Sequence, residues 1–144
     1  MAGIIQDQAY YDHYVAPYID DETVTYVGSV APVARNRLLG KACALLHPIQ
    51  FDEPFGLSVI ESMACGTPVI AFDRGSMPEL IENGKHGFLV NTVDEAVNAV
   101  AHIPKIDRAD CRRHVERYFT VERMVQEYIH VYERILSAES ERSL

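Results

Sequence analysis

Short apolar runs separated by stretches of helical periodicity organise this chain. Residues 42–47 (ACALLH, closed by Pro48), 68–72 (PVIAF) and Gly87–Val90 (GFLV) are nearly continuous in apolar character. Runs of that length without polar alternation predict strands covered on both faces of a parallel sheet. Two more strands are predicted earlier, at residues 2–5 (AGII) and 23–27 (TVTYV), the latter β-branched, aromatic and followed by a turn at Gly28 and Ser29.

Helices are predicted between them. Residues 8–19 carry Tyr10, Tyr11, Tyr14, Val15 and Tyr18 at spacings near three and four, a stripe that reads as core packing rather than a stacking platform. Pro32 opens the next helix, and residues 56–65 form another. Ser76 and Glu79, with Pro78 between them, have the spacing of a capping box, and Asn83 with Gly84 closes the helix they open. From Thr92 the chain reads as helical at about 92–102, 107–118 and 120–137, with breaks at Pro104 and Thr120. The last helix puts Val121, Met124, Val125, Tyr128, Val131, Tyr132, Ile135 and Leu136 on one face, expected to dock on the rest of the domain.

Strands alternating with helices of this length make βαβ units. The expected fold is therefore α/β: a parallel sheet of about five strands with helices on both faces, one domain over residues 1–137, a helical C-terminus and a frayed tail at 138–144. Ligands on such sheets bind at the carboxyl ends of the strands, which singles out the loops at 28–32, 47–55 and 73–77 and the one after Val90.

Composition narrows the function. A chain of 144 residues with 48% hydrophobic content suits one packed domain, and a net charge of -8 disfavours nucleic acid as a partner. No apolar run reaches the ~20 residues of a membrane span, and the first residues lack the basic start and apolar centre of a signal peptide, so a soluble, cytoplasmic protein is expected. Cys43, Cys65 and Cys111 are odd in number and far apart, which fits reduced thiols used as small buried apolar residues. Only Cys111 and His114 share a helical spacing, and a metal needs more ligands than that, so no metal site is expected.

Chemistry concentrates in residues 47–66, HPIQFDEPFGLSVIESMACG. A helix starting near Gly56 leaves the amides of residues 55–58 without intrahelical partners, facing the cleft at the strand ends, a ready site for phosphate. Pro54 has no amide to leave unpaired and Gly56 has no side chain in the way. A 100° wheel puts Leu57, Val59, Ile60, Met63 and Ala64 on one arc and Ser58, Glu61, Ser62 and Cys65 on the other. Glu61 lies about 7.5 Å along the axis from Gly56, and Glu53 lies ahead of the amides. Two carboxylates flanking an anion site suit a ligand with a central diphosphate and vicinal hydroxyls at both ends. Spacing alone favours a plainer reading, with Glu53 favouring a helix N-terminus electrostatically and Glu61 a solvated edge residue. A response-regulator-like doubly wound domain fits less well, because no phosphorylation-type Asp ends the first strands.

The string EPFGLSVIESMACGTPVIAF, followed by RGSMPELIENG and GFLV, resembles the signature of family 4 retaining glycosyltransferases, within the C-terminal, donor-binding domain of their two-Rossmann-domain GT-B fold. The resemblance runs from about Ala2 to Leu136 and rests on several motifs in the right order. It implies that Glu53, the first of the two acidic residues, meets donor-sugar hydroxyls near the reacting carbon and is the catalytic residue of the pair. It implies further that Pro54, Phe55, Gly56 and Leu57 form the loop whose amides meet the sugar and distal phosphate, that Glu61 binds the ribose diol, and that the backbone at Val30 meets the base. The implied donor is an NDP-sugar, most simply a UDP-sugar; the implied reaction is hexosyl transfer with retention, without cofactor or metal.

Two departures qualify that expectation. The family's N-terminal acceptor domain has no counterpart in this sequence, nor does the first strand and loop with an Arg and a Lys for the diphosphate; Arg74 is the nearest substitute. The chain is accordingly expected to be a C-terminal portion, inactive alone. The alternative is a non-catalytic truncated or split subunit that forms a homodimer or pairs with a chain carrying the missing half.

Overall fold

The computed structural model describes residues 1–142, with side chains through residue 138. Contacts divide the chain into two compact units, Met1–Leu38 and Leu39–Leu144. In the first unit the helical stretch is α1 (Gln8–Tyr10) continued by a π-type segment (Tyr11–Val15) and a tight turn (Ala16–Tyr18). No residue of this unit is buried, and Tyr10, Tyr14 and Tyr18 are exposed, so the tyrosine stripe is not core packing.

The strands predicted at 2–5 and 23–27 do not form. These segments lie beside each other but are joined by two backbone N–H bonds, Gly3 N–H to Gly28 O and Val27 N–H to Met1 O, both 2.9 Å, with a bond from the N-terminal amine to Thr25 O and one from the Tyr26 hydroxyl to Gly3 O at 2.7 Å. That is too little pairing for a ladder, since a strand is defined by its neighbours rather than by β-branched composition. The sheet therefore has three strands where about five were expected.

Those three follow the apolar runs of the second unit: β1 (Leu45–His47), β2 (Val69–Phe72) and β3 (Gly87–Val90), all parallel in the order β1-β2-β3. Leu45 pairs with Val69 and His47 with Ala71; Val69 pairs with Gly87 and Phe72 with Val90. Helix α2 (Pro32–Lys41) precedes β1, α3 (Leu57–Ala64) links β1 to β2, and the short α4 (Met77–Leu80) links β2 to β3. Then come α5 (Val93–Val100), α6 (Arg108–Tyr118) and α7 (Val121–Arg142). Residues 138–142, read as a frayed tail, continue α7 as helix; Ser143 and Leu144 lie outside the described residues.

Strand alternation sorts the core onto two faces. Val69 and Ala71 point to α3, α4 and α6, packing with Val59, Met63, Met77, Leu80, Cys111 and Val115. Ile70 points the other way, to Val90, Ala99 and Ile103 around α5. Helices thus cover both faces of a parallel sheet, as the apolar runs require. Burying each large side chain of this core contributes about 1.5–3 kcal/mol. Thr67 ties the turn after α3 to distant backbone, donating to Leu39 O at 2.7 Å and accepting from Arg108 at 2.8 Å, while Arg108 also donates to Ala42 O at 2.7 Å.

Cys111 is fully buried, and burial pushes its thiol up to about 11, as expected of an inert apolar residue; Cys43, by contrast, is exposed. No helix among the described residues is long and apolar enough to cross a membrane.

The buried histidine beside Cys111 makes stability sensitive to acid. His86 is 2% exposed and stacks on His114 with ring centroids 3.9 Å apart, and its Nδ1 has no hydrogen-bond partner among the described residues. Burial, and then the neighbouring His114, holds its pKa below the ordinary 6.5, against the smaller pull of Glu82 and Asp110. The unfolded chain therefore binds the proton more readily, so this contribution is complete above about pH 6.5 and is lost as pH falls through the folded value. Urea unfolding followed from neutral pH to pH ~5 should show stability declining, and His86→Phe should flatten that part of the profile. An unchanged slope in the variant would assign the decline to the carboxylates instead.

Candidate functional site

Residues 47–66 run from the carboxyl end of β1 through a loop into α3. Gly56 is the residue before the helix, with φ 90°, and it is buried. A Cβ here would lie 2.7 Å from Met77 Cε and 3.2 Å from Leu80 Cδ1, so α4 packs directly against the bare backbone. Glycine is needed for conformation and for space at once. Val59 N–H and Ile60 N–H both turn back to Gly56 O, at 3.0 and 3.3 Å. Helix geometry then leaves the amides of Leu57 and Ser58 with no preceding carbonyl to bond, and both residues are exposed.

The loop ahead of the helix is held by the segment after β2. Ser76 N–H donates to Glu53 O at 2.9 Å, Ser76 Oγ donates to Phe55 O at 2.8 Å, and Arg74 donates to Gln50 O. Gly75, with φ 55°, fits under the loop: a Cβ there would be 2.6 Å from both Glu53 N and Glu53 O. This corrects the capping box. Ser76 is helical in its own backbone and makes no side-chain cap, because its hydroxyl is committed to Phe55. The consequence is functional, since the hydroxyl fixes the loop that carries Glu53.

Glu53 is half-buried, Pro54 is exposed, and Phe55 is 44% exposed with its ring edge-on to Phe119. Glu61 is half-buried on α3. The predicted wheel is off in two places: Leu57 is 67% exposed and Ser62 is fully buried. Ser62 tolerates burial because its hydroxyl donates to Thr67 O at 3.1 Å, whereas Leu57 opens the helix at its exposed end. The second unit thus brings Glu53, Pro54, Phe55, Gly56, Leu57 and Glu61 together on one loop and helix start. Val30 belongs to the first unit, where it is half-buried.

Arg74 lies beyond β2 and lines a cavity of about 300 Å³ with Gln50, Asp73, Asn91 and Thr92, at the carboxyl ends of β2 and β3. Phe55, Leu57 and Ile60 line a second, apolar groove of about 500 Å³ with Val121, Met124 and Tyr128 of α7. The expected docking of the last helix is not observed: Val121, Met124, Val125, Tyr128, Val131, Tyr132, Ile135 and Leu136 are all exposed, although Val121, Met124, Tyr128 and Val131 line the groove. No cluster that could hold a metal occurs among the described residues.

His47, absent from the sequence-based site, ends β1 beside the loop. Its burial lowers its pKa below the ordinary histidine value, partly offset by the charge of Glu53. An apolar run ending in an imidazole was the available signal.

The comparisons with known proteins agree with this architecture. The probable sucrose-phosphate synthase of Thermosipho melanesiensis is 41% identical over 86 residues, covering 57% of this chain and 20% of the relative. The solved sucrose-phosphate synthase of Thermosynechococcus elongatus superposes with a TM-score of 0.67 at 31% identity, covering 80% of this chain and 31% of its own. A protein of Anabaena solved in complex with UDP-glucose gives 0.59 at 26% identity, covering 79% of this chain and 33% of its own. The chain spans about a third or less of these relatives. The family model described as glycosyl transferases group 1 matches residues 1–117, and the chain belongs to that family.

Proposed function

We propose that this chain is the donor-binding portion of a retaining glycosyltransferase that moves a hexose from a UDP-sugar. The observation that carries it is the Gly56-capped start of α3, with unpaired amides at Leu57 and Ser58 and half-buried carboxylates at Glu53 and Glu61 flanking them. The UDP-glucose bound by the Anabaena relative supports the same donor class.

In this reading the amides of the Phe55, Gly56 and Leu57 loop receive the distal phosphate. As the bond from the anomeric carbon to that phosphate breaks, negative charge grows on the phosphate oxygen, where helix amides stabilise it best. Glu53 accepts hydrogen bonds from the sugar hydroxyls and Glu61 from the ribose diol. The base contact at Val30 rests on the resemblance alone, and no metal or cofactor enters the reading. Each amide-dipole contribution is about 0.3–1 kcal/mol, so millimolar affinity is expected of these amides.

The test is a 1H–15N NMR titration with UDP-glucose and, in parallel, a GDP-sugar. Amide shifts confined to residues 55–61, weakened about tenfold by Glu61→Gln, support the reading. No shift in that segment at millimolar donor sinks it.

A second reading has its own observation. The β1 edge has no strand partner in the described sheet, and α7 exposes Tyr132, Ile135 and Leu136. Both suit a non-catalytic subunit that self-associates or joins a chain supplying the other half. A strictly monomeric species by light scattering removes self-association from that reading.

A further inference from the structure

His47 closes β1 and precedes Glu53 on the same loop. Its Nε2 is buried and has no hydrogen-bond partner among the described residues, although the side chain as a whole is only partly covered. A buried nitrogen left unpaired is costly, and its retention calls for a reason. A candidate partner lies ahead on the same loop: the half-buried Glu53 carboxylate makes no hydrogen bond or ion pair among the described residues. Glu53 is also the ionisable group whose charge acts on His47, while Ala71, its in-register neighbour on β2, brings none. The Glu53 backbone is pinned by Ser76 and crowded by Gly75, so the carboxylate is the part left to move.

We propose that His47 is a positioning residue for Glu53: when donor binds, its Nε2–H donates to the Glu53 carboxylate and holds it toward the sugar hydroxyls. This rests on the donor-site reading above. The neutral ring suffices, provided that its proton is on Nε2. Because Glu53 addresses the sugar and not the nucleotide, the effect is specific to the sugar end of the ligand.

Two measurements test it. Imidazole 15N NMR of His47 without ligand should show a lower titration midpoint in Glu53→Gln than in the parent chain; identical midpoints overturn the pairing. UDP and UDP-glucose are then titrated into the parent chain, His47→Phe and His47→Gln. UDP-glucose binding should weaken about tenfold in the Phe variant and recover in part in the Gln variant, whose amide is another N–H donor, with UDP binding unchanged in both. Equal loss of UDP and UDP-glucose reveals a structural role and overturns the proposal, as does unchanged UDP-glucose binding. A parent chain that binds neither ligand removes the donor reading and this inference with it. The ligand-free midpoint still separates that failure from one confined to His47.

Discussion

Replacing Gly75 with alanine is expected to weaken UDP-sugar binding about tenfold or more while leaving the core intact. The added Cβ would lie 2.6 Å from Glu53 N and Glu53 O and 2.9 Å from Asp52 C, and every one of those atoms is backbone. Nothing flexible can give way, so the loop itself must move. Displacement breaks the Ser76 N–H bond to Glu53 O and, through the same segment, the Ser76 Oγ bond to Phe55 O. Both carbonyls belong to the loop that delivers Glu53 and the α3 amides. Alanine at φ 55° adds left-handed strain of about 1–2 kcal/mol, so thermal stability should fall modestly while binding falls steeply. Gly75 packs outside the apolar clusters, which is why the two effects separate. Binding equal to that of the parent chain, measured by the same NMR titration, would show that the loop position does not matter to the donor.

The parts of this molecule legible in the sequence are those governed by nearest neighbours. Residues 68–72 and Gly87–Val90 announce buried strands through continuous apolar character, and Thr92 and Asp107 announce helix starts through side chains that accept from Glu95 N–H and Ala109 N–H. The loop ahead of α3 was legible for the same reason, since Pro54 and Gly56 punctuate it locally. What failed depended on partners elsewhere. Residues 23–27 have strand composition but too little pairing to form a ladder, and Ser76 has a capping-box spacing but spends its hydroxyl on Phe55, 21 residues away. Arg108 gave no signal at all, because the atoms it joins, Ala42 O and Thr67 Oγ1, are 66 and 41 residues distant. The imidazole that ends the apolar run at His47 was the available signal, but that its Nε2 is buried and unpaired shows only in the fold.

The largest loss of stability is expected from Gly87→Ala, a substitution that looks conservative in the sequence. Gly87 opens β3 opposite Val69 of β2. A Cβ there would lie 2.0 Å from Val69 O and 2.9 Å from Val69 C and N. Relief demands that β3 back away from β2 by an ångström or more, which separates the strands at the point where Val69 N–H reaches His86 O. Val69 and Ile70 head the two apolar clusters, one on each face, so the gap opens into both. Overpacking against backbone in a filled interior costs about 3 kcal/mol or more, a large share of the 5–15 kcal/mol that holds a domain of ordinary stability folded. Gly40→Ala is the matched control: it lies in α2 with nothing within 4 Å of the new methyl group, so the same chemical change should be neutral or stabilising by about 0.5–1 kcal/mol. Urea unfolding of the two variants should therefore give shifts of opposite sign or very different size. If Gly87→Ala unfolds at the same denaturant concentration as Gly40→Ala, β3 does not pair with β2 as closely as the register places it.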